Sequence, residues 1–168
     1  DDDTVALSNL HRQTLYSTND VGAAKAPKAK EVLDQLNPEI SIIAYPQRFT
    51  THHALELIKD FDIIVDGTDN FASRYLINDA CVLMNKPLVY GAVSQWEGQV
   101  AIFNDLLHSE PAVNYRDLFP QPPKDNEVLN CADAGVLGVL PGIIGAFQAN
   151  ETIKWLTGIG QPLVNRLL

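Results

Sequence analysis

The sequence has few cysteines, no histidine cluster, no excess of basic residues and no long apolar run. The two cysteines, Cys81 and Cys131, are far apart and neither belongs to a CxxC pair. Neither a disulfide framework nor a zinc site is therefore expected, and a reducing, cytoplasmic setting is the default. Of the four histidines, His52 and His53 are adjacent while His11 and His108 are isolated, a spacing unsuited to metal ligation. Lys and Arg number 12 against 21 Asp and Glu, a net charge of -9. Phosphate-backbone binding needs clustered cations, so no nucleic-acid partner is expected. No apolar run reaches the roughly 18 residues of a membrane span, so no membrane partner is expected either. No G-x-G-x-x-G occurs; Gly158-Ile159-Gly160 follows a helical pattern, the wrong context for phosphate binding. No signal peptide is visible. The abrupt opening on Asp1-Asp2-Asp3 leads to the expectation that the natural N-terminus lies upstream.

The 168 residues, 46% hydrophobic and 20% charged, suit a single domain with a sizeable core. Asp3–Leu7 reads as a short strand, followed by a polar connection. Ala29, Val32, Leu33 and Leu36 share one face of a helix from about Pro27 to Leu36, which Asn37-Pro38 stops. Ile40–Tyr45 reads as a strand, and Thr51 can cap a short helix ending near Lys59. Phe61–Asp66 is β-branched and suits a strand covered on both faces, as in parallel sheets. A helix over about Phe71–Met84, strands at Pro87–Ala92 and Gln99–Phe103, a long loop over 104–130 and a helix over Pro141–Leu156 complete the order. Gly158 and Gly160 end that helix, and Gly138, Gly142 and Gly145 permit close helix packing. The alternation predicts an α/β fold, a Rossmann-like open sheet with mostly parallel strands. Ligands of such sheets bind beyond the carboxyl ends of the strands.

Three clusters sit where strands should end. Asn9, Arg12 and Gln13 offer a guanidinium fork and hydrogen bonds suited to phosphate oxygens, although on spacing alone a polar surface turn is the commoner account of such a segment. Lys25, with Lys28 and Lys30, opens a helix, where cations oppose the macrodipole. An anionic ligand would offset that cost, and so would simple solvation. Asp66-Gly67-Thr68-Asp69-Asn70 follows the most strand-like run. A carboxylate there is placed to hold Mg²⁺ beside phosphates, or the segment caps the next helix. Cys131, near a helix start, suits a nucleophile or a small buried hydrophobe. Cys81, among Ala80, Val82 and Leu83, reads as core.

Taken in order, D-x-D-x-V-x-x-S-N-L-x-R-Q, V-G-x-x-K, D-x-T-D-N, G-Q-V and N-C-A-x-A-G-V-L-G-V-L-P-G-I-I-G span essentially the whole chain. The series resembles the HesA/MoeB/ThiF family, the adenylyltransferases of sulfur-carrier proteins and relatives of ubiquitin-activating enzymes. The resemblance implies one adenylation domain over residues 1–168, lacking its first β-α unit. It implies ATP and Mg²⁺ as cofactors and adenylation of the C-terminal glycine of a ubiquitin-like carrier ending in Gly-Gly, in molybdopterin or thiamine biosynthesis. A homodimer is implied too. By matching motifs, Asp1 would hold the ATP ribose, Asn9, Arg12 and Gln13 the phosphates, and Lys25 would neutralise phosphate charge. Asp69 would serve Mg²⁺ and catalysis with Asn70 beside it, and Cys131 matches a cysteine that bonds covalently to the carrier in some members. The first zinc-binding CxxC of many members is replaced by Asn114-Tyr115-Arg116-Asp117, so no zinc is expected. Two other functions compete: an NAD-dependent oxidoreductase, in which Asp1 holds the ribose of NAD, and a non-catalytic carrier-binding subunit.

Overall fold

Short β-branched and aromatic runs pair into a three-stranded sheet, and one long helix lies across it. The computed structural model describes residues 1–108, 111–123 and 135–168. The chain divides into two compact units, Asp1–Phe49 and Thr50–Leu168.

In the first unit, α1 spans Lys25–Leu36 and ends at Asn37. Pro27 sits in its first turn, where a missing N–H costs nothing. The expected strand Asp3–Leu7 is a single bridge, Thr4 with Ala24. Its backbone bonds go to the turn before α1: Val5 N–H to the Ala23 carbonyl, and the N–H groups of Gly22 and Lys25 to the carbonyls of Val5 and Asp3. A 3₁₀ turn follows at Leu7–Asn9. Ile40–Tyr45 forms no strand, because no ladder partner meets it among the described residues. Strand composition without a neighbouring edge does not make a strand.

The second unit holds α2 (Ala54–Ile58), β1 (Ile64–Asp66), α3 (Phe71–Leu83), β2 (Leu88–Ser94), β3 (Glu97–Phe103), α4 (Tyr115–Leu118) and α5 (Leu140–Thr157). β1 pairs with β2 in parallel, Asp66 opposite Tyr90. β2 and β3 form an antiparallel hairpin, Leu88 opposite Phe103 and Ser94 opposite Glu97. The order is β1-β2-β3. Leu88, Val89, Val100, Ala101 and Ile102 are wholly buried and make the centre of the core. β1 is shorter than expected, and Val65, at 49% exposure, is not covered as a two-faced parallel strand would be. His53, not Thr51, precedes α2, with no side-chain cap. The region expected to be one loop contains α4, which Asn114 and Asp117 close with a capping box.

α5 carries Pro141 in its first turn and stops at Gly158, whose φ of 66° suits glycine. It packs on β2 and β3 through Ile144, Gln148 and Glu151. Ile144 lies over Gly98, where a Cβ would stand 2.3 Å from its Cδ1. The polarity of this helix is reversed: two of its three buried residues are polar, while Ile143, Phe147, Ile153 and Leu156 are exposed. Gly142 and Gly145 meet nothing within 4 Å among the described residues, so the close packing expected of them is not seen there. Beyond α5 the chain returns along β3. Ile102 N–H donates to the Leu163 carbonyl, and Val100 and Leu168 exchange backbone bonds at 3.1 and 3.0 Å. Buried Glu151 fixes this return by accepting from Leu163 N–H at 2.7 Å and from Lys154 at 2.5 Å.

Candidate active site

Within the first unit, Ser8–Gln13 winds into a compact turn in which the Asn9 carbonyl accepts from the N–H groups of both Arg12 and Gln13. That bond pattern gathers three of the expected phosphate-binding residues on one short loop. Arg12 Nη1 lies 2.9 Å from His11 Nε2 and 3.4 Å from the Ser8 carbonyl. Gln13 Oε1 is buried without a hydrogen-bond partner. Tyr16 joins the loop to α1: its N–H donates to the Gln13 carbonyl and its hydroxyl to the Lys25 carbonyl.

Lys25 is the first residue of α1 and is buried. Its ammonium donates to Asp3 Oδ2 at 2.9 Å, and that bond holds the Asp3 carboxyl below its usual range. Lys28 pairs with Asp20 and Glu31, and Lys30 with Asp34. The lysines are therefore offset by carboxylates of the chain itself. Asp1 is exposed; its Oδ1 accepts from Asp3 N–H, and the N-terminal ammonium donates to the carbonyls of Tyr45 and Gln47.

In the second unit the D-x-T-D-N segment forms a tied turn. Asp66 ends β1 and is wholly buried. Its Oδ1 accepts from Thr68 N–H at 2.8 Å and from Thr68 Oγ1 at 2.7 Å, the Asx-turn arrangement in which a short side chain holds its own backbone two residues on. Its backbone carbonyl accepts from Gln148 Nε2 at 2.7 Å. Asn70 caps α3, its Oδ1 accepting from Ser73 N–H at 2.8 Å. Asp69 lies between these tied residues, and its exposed carboxylate engages no partner among the described residues. Capping and a free carboxylate thus coexist in one segment.

Asp69 borders a cavity of about 350 Å³ between α3, the hairpin and α4, walled by Phe71, Tyr75, Tyr90, Tyr115 and Phe119. Arg74 lies in its wall, buried, with Cζ 5.3 Å from the centre of the Tyr90 ring. Its Nη2 donates to the Thr68 carbonyl at 2.9 Å, and its Nε is 3.4 Å from Asp66 Oδ2. Burial works against the Arg74 charge, but Asp66, Tyr90 and Tyr115 outweigh it and leave the guanidinium more firmly protonated. Burial pushes the Tyr90 hydroxyl up to about 12 and raises that of Tyr115, so both remain neutral donors. Tyr90 spends its proton on Gln99 Oε1 at 2.9 Å.

The ThiF family model matches residues 1–168. The chain belongs to the ThiF family. It is 52% identical over 167 residues to a sulfur carrier protein adenylyltransferase of Thermus thermophilus, covering 99% of this chain and 62% of that protein. It is 48% identical to an adenylyltransferase and sulfurtransferase MOCS3 of Culex quinquefasciatus, covering all of this chain and 37% of that one. The chain therefore spans less than two thirds of these relatives. Among solved structures, Escherichia coli MccB superposes with a TM-score of 0.80 at 21% identity, covering 99% of this chain and 49% of MccB. A mixed α/β fold with an open sheet is thus common to both.

Of the expected site residues, Asp1, Asn9, Arg12, Gln13 and Lys25 belong to the first unit of this ThiF-family chain, and Asp69 and Asn70 to the second. Cys131 lies outside the described residues. Sequence reasoning missed Arg74 and the tyrosine wall. A signal for Arg74 was present: it is a cation in the first turn of α3, the same unfavourable placement that drew attention to Lys25.

Proposed function

We propose that the protein uses ATP to adenylate the C-terminal glycine of a small ubiquitin-like sulfur carrier ending in Gly-Gly, in molybdopterin or thiamine biosynthesis. The observation that carries this reading is the Asp69 carboxylate: partnerless among the described residues, held on a tied turn and bordering a cavity with Arg74 in its wall. Supporting it, relatives are named sulfur carrier protein adenylyltransferase and MoeZ, and the solved MccB structures include one with ATP and one with MccA.

In this reading a carboxylate oxygen of the carrier's last glycine attacks the α-phosphorus of ATP. A carboxylate–phosphorus bond forms, the bond from the α-phosphorus to the bridging oxygen breaks, and its electron pair leaves with pyrophosphate. The nucleophile is already ionised near neutral pH, so no general base is needed; the demand is for charge neutralisation. Asn9, Arg12 and Gln13 take phosphate oxygens, Lys25 neutralises their charge, and Asp1 holds the ribose, with Asn70 beside the nucleotide. Lys25 already bonds Asp3, so phosphate binding there exchanges one anionic partner for another.

A free, oxygen-only donor suits a hard cation that takes one carboxylate plus substrate phosphates, so Asp69 fits Mg²⁺. Bound there, the ion would neutralise charge developing on the phosphate oxygens. Cys131 serves a later covalent step in this reading. A reducing cytoplasm is the proposed setting. The exposed apolar face of α5 supports a homodimer; a monomer by light scattering of the full-length protein would count against it.

Carrier-dependent ATP–pyrophosphate exchange by the full-length protein tests the reading. Wild type exchanges and Asp69→Ala loses exchange by at least ~100-fold, as expected when a site's electrostatic partner is removed. Absence of exchange with every Gly-Gly-ended carrier would sink the proposal in favour of a carrier-binding subunit or a dinucleotide enzyme.

A further inference from the structure

Arg74 and Asp66 sit on opposite sides of the Asp69 turn and grip it together. Asp66 takes the N–H and hydroxyl of Thr68 on its Oδ1, while Arg74 takes the carbonyl of the same residue through Nη2. Every backbone hydrogen-bonding group of Thr68, the residue directly before Asp69, is thereby committed. The two side chains also face each other: Asp66 Oδ2 and Arg74 Nε are 3.4 Å apart, both buried, and neither makes a hydrogen bond. Asp66 is in turn fixed from behind by Gln148 through its backbone carbonyl, and Arg74 from above by the rings of Tyr90 and Phe71 at 5.3 and 5.9 Å. Asp69 itself has no partner among the described residues. Its direction is set by its backbone, and its backbone is set by this grip.

We infer that Arg74 and Asp66 are positioning residues that aim the Asp69 carboxylate, acting through Thr68. The inference rests on the function proposed above for Asp69 and names the residues that give it its geometry. A guanidinium is required because one planar fork spans the Thr68 carbonyl and the Asp66 carboxylate together; an ammonium is a single point of charge and cannot reach both. Asp66 separates positioning from direct substrate contact. It is wholly buried and forms no part of the cavity lining, so it does not itself touch a ligand there, and the Thr68 amide reports whether altering it loosens the turn. Outer residues that orient a metal-binding side chain are worth about 10–100-fold in metal affinity or activity.

The test uses the full-length protein with Asp66→Asn, Arg74→Lys and the double variant. Two readouts are taken: the Mg²⁺ concentration giving half-maximal carrier-dependent exchange, and the backbone amide exchange rate of Thr68 by NMR without metal or nucleotide. Thr68 exchange should rise at least ~10-fold in each single variant, with Val89 in β2 unchanged. The Mg²⁺ requirement should rise ~10–100-fold, more than the rate at saturating Mg²⁺ falls. The double variant should be no worse than the poorer single variant, since the two residues act on one element. Full rescue by Arg74→Lys, wild-type Thr68 protection in either single variant, or multiplying effects in the double variant would each overturn the inference. If wild type shows no exchange at all, the adenylation reading fails, and the Thr68 amide still decides whether the grip exists. If Asp66→Asn does not fold, Arg74→Lys decides alone.

Discussion

The Gln148 amide fills the space that a side chain at Gly91 would need. A Cβ at Gly91 would stand 2.3 Å from Gln148 Cδ and 2.5 Å from both amide heteroatoms. From that place Gln148 Nε2 donates to the Asp66 carbonyl at 2.7 Å and the Val89 carbonyl at 3.2 Å, joining the carboxyl end of β1 to β2 near its start. The absent side chain on one strand thus admits the bond that steadies the start of the Asp69 turn.

Gly91→Ala should therefore expel the Gln148 amide and leave two strand carbonyls buried without their donor. The expected loss is about 1–3 kcal/mol, the cost of orphaning buried polar groups. Urea unfolding gives the value. A midpoint within error of wild type would mean that Gln148 finds equivalent bonds elsewhere.

Acid should unfasten α4 from α3. Arg116 grips Asp79 with two bonds of 2.7 Å, and this holds the Asp79 carboxyl below its usual range. The folded value is depressed, so the stabilisation is present above the unfolded value of about 3.9 and is lost as pH falls through the folded one. Asp79→Asn should be less stable than wild type at pH 7, and the gap should narrow as pH falls below about 3.9 and close once the folded carboxyl is protonated. Parallel stability curves across that range would contradict this.

Cys81 should resist alkylation in the native protein. It is wholly buried, and burial, with Asp66 nearby, pushes its thiol up to about 12. Little nucleophilic thiolate forms at pH 8. Labelling mapped by peptide mass should find Cys81 modified only at the rate of unfolding, while fast modification under native conditions would show an opening the fold does not display.

The sequence disclosed those elements whose signals are local. α3 begins at Phe71 behind its Asn70 cap, and α5 ends at Gly158, because caps and left-handed glycines act within a few residues. The β2 and β3 runs were legible because each carries an unbroken apolar stretch, Leu88–Tyr90 and Val100–Phe103. Asp3–Leu7 and Ile40–Tyr45 misled because a strand also needs an edge to pair with, and composition does not reveal the edge. The site was legible in the same uneven way. Asp69 and Lys25 stood out by type and place, but the partner of Lys25 is Asp3, and the grip of Arg74 on Thr68 depends on how α3 turns back over β1. Neither relation leaves a mark on spacing. The tyrosine wall draws on α3, β2 and α4 and exists only once those elements meet.

The return of the chain along β3 has a consequence for colloidal behaviour. The outer edge of β3 gives its backbone bonds to Leu163–Leu168, and a strand edge without such cover is a template for other chains. Glu151 holds that cover down from inside α5. Displacing Leu163–Leu168 would leave the hairpin core in place and uncover an adhesive rim, so this segment guards against aggregation as much as it stabilises the fold.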